Sequence, residues 1–244
     1  MDKHGANVTF DRGPSGGGDR FAAPSEMIRA DTADQVDAAF EAMQRAHSDG
    51  KWLAGYVSYE FGYLTSPKLE RLLPTDRALP LIHFGVFDAP QPATPTAVSA
   101  LVDLDPLQPQ WTSDRYAQAF STVHDYIGAG DIYQVNLTFP IATRSDASPD
   151  ALYAKLRERQ AVPHGALVNF GETALLSRSP ELFFSLTSTG ALTTRPMKGT
   201  APRGATPAQD DTVRDALQSS EKNRAENLMI VDLLRNDMSR VSEI

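Results

Sequence analysis

The 244-residue chain contains no cysteine. Disulfide scaffolds, thiolate zinc sites, iron–sulfur clusters and thiol nucleophiles are therefore excluded. No apolar run approaches the roughly 20 residues a membrane helix needs, and the opening MDKHGANVTF lacks the apolar stretch of a secretory signal. Basic side chains are in deficit, 23 against 31 acidic ones, giving a net charge of −8 and a pI near 5.1. That balance argues against a nucleic-acid surface. Hydrophobic residues still make up 41%, enough for a core and too many for a disordered chain. The expectation is a cytoplasmic protein acting on small molecules, folded as one large domain or two small ones.

Residues 1–20 are polar and Gly-rich and read as a flexible leader. A first helix opens at Thr32, with Gln35 at capping-box spacing and Val36, Phe40 and Met43 at helical intervals before Asp49-Gly50. Trp52–Tyr59 and Pro80–Phe87 read as strands. The Pro-, Ala- and Thr-rich stretch Ala89–Pro109 reads as a connector and an internal boundary. A helix capped by Ser113 or Asp114 follows, with Tyr116, Phe120, Val123 and Ile127 on one stripe and Gly128 closing it. Ser148-Pro149 opens another, with Leu152 and Leu156 inward. Strands are predicted at Ile132–Phe139, Ala166–Phe170, Ala174–Ser177, Leu182–Leu186 and Leu192–Arg195, with turns at Gly171-Glu172 and Thr187–Gly190. Ala205–Asp211 reads as polar and mobile, and a helix runs from about Ser220 to Asn236. Arg240–Ile244 reads as the start of another strand, so further chain is expected beyond it.

Four places could carry chemistry. In Ile132–Phe139 the alternation puts Gln134, Asn136 and Thr138 on one face, either a solvated sheet face or the lining of a polar pocket. Glu181, in Ser179-Pro180-Glu181, is either surface decoration or, in a desolvated cleft, a proton donor. Lys198 sits in a Gly- and Pro-constrained loop, Thr194–Gly204, and is either solvated or, if partly desolvated, a base or nucleophile. The helix around Leu228–Leu234 is apolar on almost every side and should be deeply buried, with Glu226, Asp232, Arg235 and Asp237 interrupting it. Those carboxylates are either ion-paired with arginine or bound to a hard cation such as Mg²⁺.

Four segments together resemble the chorismate-utilising enzyme family, which includes the large subunits of anthranilate and aminodeoxychorismate synthases. They are Gly130-Asp131-Ile132-Tyr133-Gln134-Val135-Asn136-Leu137, Ser179-Pro180-Glu181, Arg195-Pro196-Met197-Lys198-Gly199-Thr200-Ala201-Pro202-Arg203-Gly204 and the run Asn223–Asp237. Gln134, Glu181, Lys198 and Glu226 follow at intervals of 47, 17 and 28 residues, in the family's order. Gly55–Glu60 and Phe84–Asp88 resemble its amino-terminal region.

The resemblance implies an α+β fold, a two-layer sandwich of antiparallel sheets with outer helices as in anthranilate synthase component I, here incomplete. Residues 21–109 would be the family's amino-terminal region and 110–244 the first part of its chorismate-binding catalytic region. Gln134, where isochorismate and salicylate synthases carry a lysine base, implies that ring hydration is not the reaction. The Pro-Met-Lys-Gly-Thr form resembles the aminodeoxychorismate synthase branch, in which chorismate is aminated at C4 for p-aminobenzoate and folate synthesis. There Lys198 would be the nucleophile, Glu181 the proton donor, Glu226 a Mg²⁺ ligand, and Gly199 and Thr200 donors to a substrate carboxylate beside Gln134. Ammonia would come from a separate glutaminase subunit, since this chain has no cysteine for glutamine hydrolysis. The family's Gly-rich substrate loop and second metal-binding glutamate lie beyond the matching stretch, so the metal site would be half complete. Anthranilate synthase with an atypical lysine, and a non-catalytic fragment that only binds ligand or partner, are the competing readings.

Overall fold

The structure, a computed structural model, describes residues 5–94 and 102–243. Two compact units divide the chain: Met1–Thr94 with Gln160–Ile244, and Pro95–Arg159. The first unit therefore draws on both ends of the chain, and its break after Thr94 falls within the connector Ala89–Pro109.

In the first unit, β1 (Asn7–Phe10) and β2 (Asp19–Ala22) form an antiparallel hairpin. Val8 faces Phe21 across it, and both are buried. Here the predicted flexible leader gives way to ordered chain, residues 1–4 of it lying outside the described residues. Its glycines occupy the connecting loop, which the buried Asp19 carboxylate closes by accepting from the Ser15 N–H at 2.8 Å and the Ser15 hydroxyl at 2.6 Å. Four-residue strands on each side of that loop are too short a pattern to stand out from polar neighbours.

β3 (Glu26–Ala30) follows. Thr32 then caps a single 3₁₀ turn, Ala33–Gln35, and the Gln35 carboxamide reaches back to the N–H groups of Asp31 and Thr32 at 2.7 and 3.3 Å. That is the capping-box geometry read from the sequence. It leads into α1 (Val36–Ser48), β4 (Trp52–Val57), the short α2 (Pro67–Glu70), β5 (Ile82–Phe87) and β6 (Gln91–Pro92). Residues 95–101 of the predicted connector lie outside the described residues.

β3, β5 and β4 make a three-stranded antiparallel sheet with β5 central. Ile82 and Val86 of β5 pack with Val36, Ala39 and Ala46 of α1, while Phe87 packs with Val8 and Phe21. The helix thus covers one face, and the opposite face meets a five-stranded antiparallel sheet ordered β10-β9-β1-β2-β6. β9 (His164–Asn169) and β10 (Ala174–Ser179) supply its other edge, with Gly171 at φ +89° in the hairpin turn as predicted. A largely buried ion pair between Asp11 and Arg178 ties the hairpin's loop to β10. A separate two-stranded ribbon, β11 (Leu182–Leu186) and β12 (Leu192–Arg195), is followed by α5 (Pro207–Ser219) and α6 (Glu221–Met238).

The second unit holds β7 (Gln108–Pro109), α3 (Ser113–Ala129), β8 (Ile141–Ala142) and α4 (Pro149–Arg159). Thr112 rather than Ser113 caps α3, accepting from the Arg115 N–H at 3.2 Å. Gly130, not Gly128, ends it: its φ of +80° is the left-handed conformation a side chain would resist, and Asp131 N–H reaches the Tyr126 carbonyl at 3.0 Å. In α4 Tyr153 and Ala154 are buried, while the predicted inward Leu156 is exposed.

Three further expectations are corrected. Ile132–Phe139 is not a strand; only Ile141 and Ala142 just beyond it pair, with β7. Alternation defines faces but not a hydrogen-bonding neighbour, and the described residues provide none for this segment. Residues 207–211, predicted mobile, open α5, because Thr206 accepts the Gln209 N–H at 3.3 Å and Pro207 stands at the first helical position. Arg240–Ser242 is a turn prolonging α6, with N–H bonds from Arg240 to Asp237 and from Val241 to Met238, rather than the start of a strand.

His83 occupies the face of β5 turned toward the five-stranded sheet. Its ring lies 4.5 Å from Phe170 and 5.9 Å from Tyr56, and its buried Nε2 has no hydrogen-bond partner among the described residues. Burial pushes the imidazole down to about 4, and the Arg29 guanidinium adds to this against the opposing Asp31 and Glu172 carboxylates. An unfolded histidine titrates near 6.5. Between those values the unfolded chain binds a proton that the folded chain refuses, so this contribution is whole above pH 6.5 and is lost as pH falls toward 4. The gap corresponds to about 3 kcal/mol. In urea denaturation at stepped pH, His83→Phe should flatten the acid-side decline by up to about one proton's worth of slope. An unchanged slope would exclude His83 as its source.

Candidate active site

The loop Pro196–Thr200 leaves β12 and leads toward α5 and α6. Two contacts hold it. Glu181, just before β11, accepts the Met197 N–H through Oε1 at 2.9 Å. Ser179 fixes the Glu181 backbone, its hydroxyl donating to the Glu181 carbonyl at 3.0 Å and accepting the Glu181 N–H at 3.2 Å. On the other side of Lys198, Gly199 has φ +65° and lies against Asn223 in the first turn of α6. A β-carbon there would stand 2.9 Å from Asn223 Cγ and 3.0 Å from Oδ1, so both conformation and space call for glycine.

The Glu181 carboxylate thus meets the loop one residue before Lys198, and Glu226 lies three residues beyond Asn223, on the same side of α6. Lys198 and Gly199 are half-buried and Thr200 is exposed. Glu181 is exposed too, so the desolvated cleft expected around it is not formed by the described residues. Gln134 belongs to the other unit, in the irregular segment after α3, and is exposed. Downstream, Arg203 forks onto Asp210 in the first turn of α5, Nε to Oδ1 at 2.7 Å and Nη2 to Oδ2 at 2.5 Å, while Gly204 N–H adds a bond to Oδ1 at 2.8 Å. The Arg203 bond, then that N–H, hold the Asp210 carboxyl below its ordinary range.

α6 is not deeply buried: Leu228 is 70% and Leu233 53% exposed. An all-round apolar helix needs cover on every side, and the described residues cover one. There Val231, Leu234 and Met238 line a groove of about 390 Å³ with Leu192, Thr194 and Pro196. None of the predicted site residues lines that groove.

Asp232 is held by Arg235, Nη2 to Oδ1 at 2.7 Å, the ion-pair reading of this helix. Glu226 has no such partner among the described residues. Nor does any group of three acidic or histidine side chains converge there. Asp237, eleven residues along α6, is about 16 Å away at 1.5 Å per residue, too far to share one ion with Glu226. The described donors alone therefore do not fit a Mg²⁺ site, which needs about six oxygens with several carboxylate or substrate ligands.

Two residues escaped the sequence reading. Asn223 stood inside a recognised motif without a role; its signal was the obligatory glycine it packs against. His83 was a lone polar residue in an apolar strand.

No helix of the described residues is long and apolar enough to cross a membrane. Residues 7–244 match the family described as chorismate binding enzyme. The aminodeoxychorismate synthase of Streptomyces griseus is 39% identical over 155 residues, 64% of this chain and 21% of that protein. Component 1 of the Klebsiella aerogenes aminodeoxychorismate synthase is 39% identical over 155 residues, 64% of this chain and 33% of that protein. The chain therefore spans about a third or less of these curated relatives. A Bacillus anthracis structure assigned as a 2,3-dihydroxybenzoate-specific isochorismate synthase shares the fold, with a TM-score of 0.63 at 16% identity, covering 95% of this chain and 59% of that one. The helices and antiparallel sheets described above are accordingly the α+β fold expected, and with the family match running from β1 to the last residue the chain belongs to the chorismate binding enzyme family.

Proposed function

We propose that these residues belong to an enzyme that aminates chorismate to 4-amino-4-deoxychorismate, with ammonia delivered by a glutaminase partner. The observation that carries this reading is the placement of Lys198 between two fixed neighbours, the Met197 N–H on Glu181 and Gly199 on Asn223. Relatives of this chain named aminodeoxychorismate synthase support it.

In this reading the Lys198 amine attacks C2 of chorismate, the ring double bonds shift, and the C4–oxygen bond breaks. The departing hydroxyl takes a proton from Glu181 and leaves as water. One Glu181 oxygen anchors the loop, leaving the other for that proton. Ammonia then adds at C4, the double bonds shift back, and the C2–nitrogen bond breaks to return Lys198. Glu226 is proposed as one ligand of a Mg²⁺ ion whose other ligands the described residues do not supply, and no step above is routed through it. Gln134, Gly199 and Thr200 are proposed to contact the substrate.

Incubating the chain with chorismate, Mg²⁺ and ammonium, followed by chromatography of the products, tests the assignment. 4-Amino-4-deoxychorismate is the expected product. Anthranilate instead would overturn the C4 assignment. Recovery of unchanged chorismate would favour the reading in which the chain only binds ligand or partner.

A further inference from the structure

We infer that Asn223 is a positioning residue that, with Glu181, clamps the loop carrying Lys198 from both sides. This deepens the proposed function, because it concerns the same lysine, but its evidence is independent of any substrate.

The loop has no strand or helix of its own between β12 and α5, so its path must be set by contacts at its flanks. Upstream, the Met197 N–H is fixed to Glu181 Oε1 at 2.9 Å, and Glu181 is itself held by the Ser179 hydroxyl through both its backbone groups. Downstream, Gly199 adopts a left-handed conformation directly on the Asn223 side chain. Asn223 is in turn fixed by the start of α6, where Ser220 caps the helix and accepts the Asn223 N–H at 3.4 Å. At this third helical position a capping box would carry Glu or Gln reaching back to the cap. Asparagine is too short for that reach, and its carboxamide faces the glycine instead. Lys198 is the single residue between the two anchors, so its backbone has little freedom while both hold. Loss of either lets the loop open locally without disturbing the sheets.

The test reads the reactivity of Lys198 in the full 244-residue chain. Amines are acetylated with a limiting N-hydroxysuccinimide ester, and Lys198 labelling is measured by peptide mass spectrometry against Lys68 and Lys222 in the same chain. Asn223→Ala should raise relative Lys198 labelling about threefold or more, as should Glu181→Ala, through local opening of the loop. Asn223→Asp, of the same shape, should keep the wild-type ratio. Circular dichroism melting of Asn223→Ala should match wild type, which separates loop release from unfolding. Wild-type labelling in both alanine variants would overturn the clamp. Raised labelling together with anthranilate as the product from chorismate would keep the clamp and reject amination at C4.

Discussion

On the proposed amination reading, Lys198→Ala is expected to lower formation of 4-amino-4-deoxychorismate by on the order of a thousandfold or more, the usual consequence of removing a covalent nucleophile. The variant is informative because both contacts that hold the loop are made by Lys198's neighbours, Met197 through its backbone N–H and Gly199 through its missing side chain. Truncating Lys198 removes the amine and leaves those contacts in place, so the fold and the loop path should survive. Lys198→Arg should not restore activity, since a guanidinium stays protonated and cannot act as the attacking amine. Product formation followed by chromatography, with circular dichroism as a folding control, decides the matter. Turnover within about tenfold of wild type would remove Lys198 from the covalent role.

A chain lacking residues 1–22 is expected not to fold cooperatively. On composition alone those residues look dispensable, but they contain β1, which lies between β2 and β9 within the five-stranded sheet. Burial of Val8 and Phe21 is worth about 1.5–3 kcal/mol each. The segment also contributes Ala6 to the cluster around Phe87, and β1 makes two backbone ladders. Against a total stability of about 5–15 kcal/mol for an ordinary domain, that loss is most of the margin. It would also bare the face of β9, an open edge inviting association. Urea denaturation of the shortened chain should show no cooperative transition. A transition with a midpoint near that of the whole chain would restore the leader reading.

These two cases show what the sequence carried. The order of the motifs around Gln134, Glu181, Lys198 and Glu226 was enough to reach the family, because four spaced constellations coincide rarely by chance. Capped or strand-rich elements are equally legible: Thr32 with Gln35, and the strand-like runs from Trp52 and Ala174, state their structure locally. What escaped depended on partners distant in the chain. Ile132–Phe139 has a strand's alternation and, among the described residues, no strand to pair with, whereas Asn7–Phe10, unremarkable by itself, lies between β2 and β9. α6 looked like a core helix because apolar content was read as burial, although cover is supplied by other residues. Asn223 gained its role only when the positive φ of Gly199 showed what the glycine must avoid.

The pairing of Val8 with Val168 joins residues 160 positions apart. On a ribosome adding about 5–20 residues per second, β1 would wait roughly 10–30 s before β9 is made, with no way to complete its sheet earlier. For that interval the hairpin exposes Val8 and Phe21 on an unfinished strand edge, and closure then carries the slow kinetics of a long-range antiparallel pairing. The first strand synthesised is thus among the last to find its place, and the interval before it does so is when the nascent chain most needs shielding by a holding chaperone.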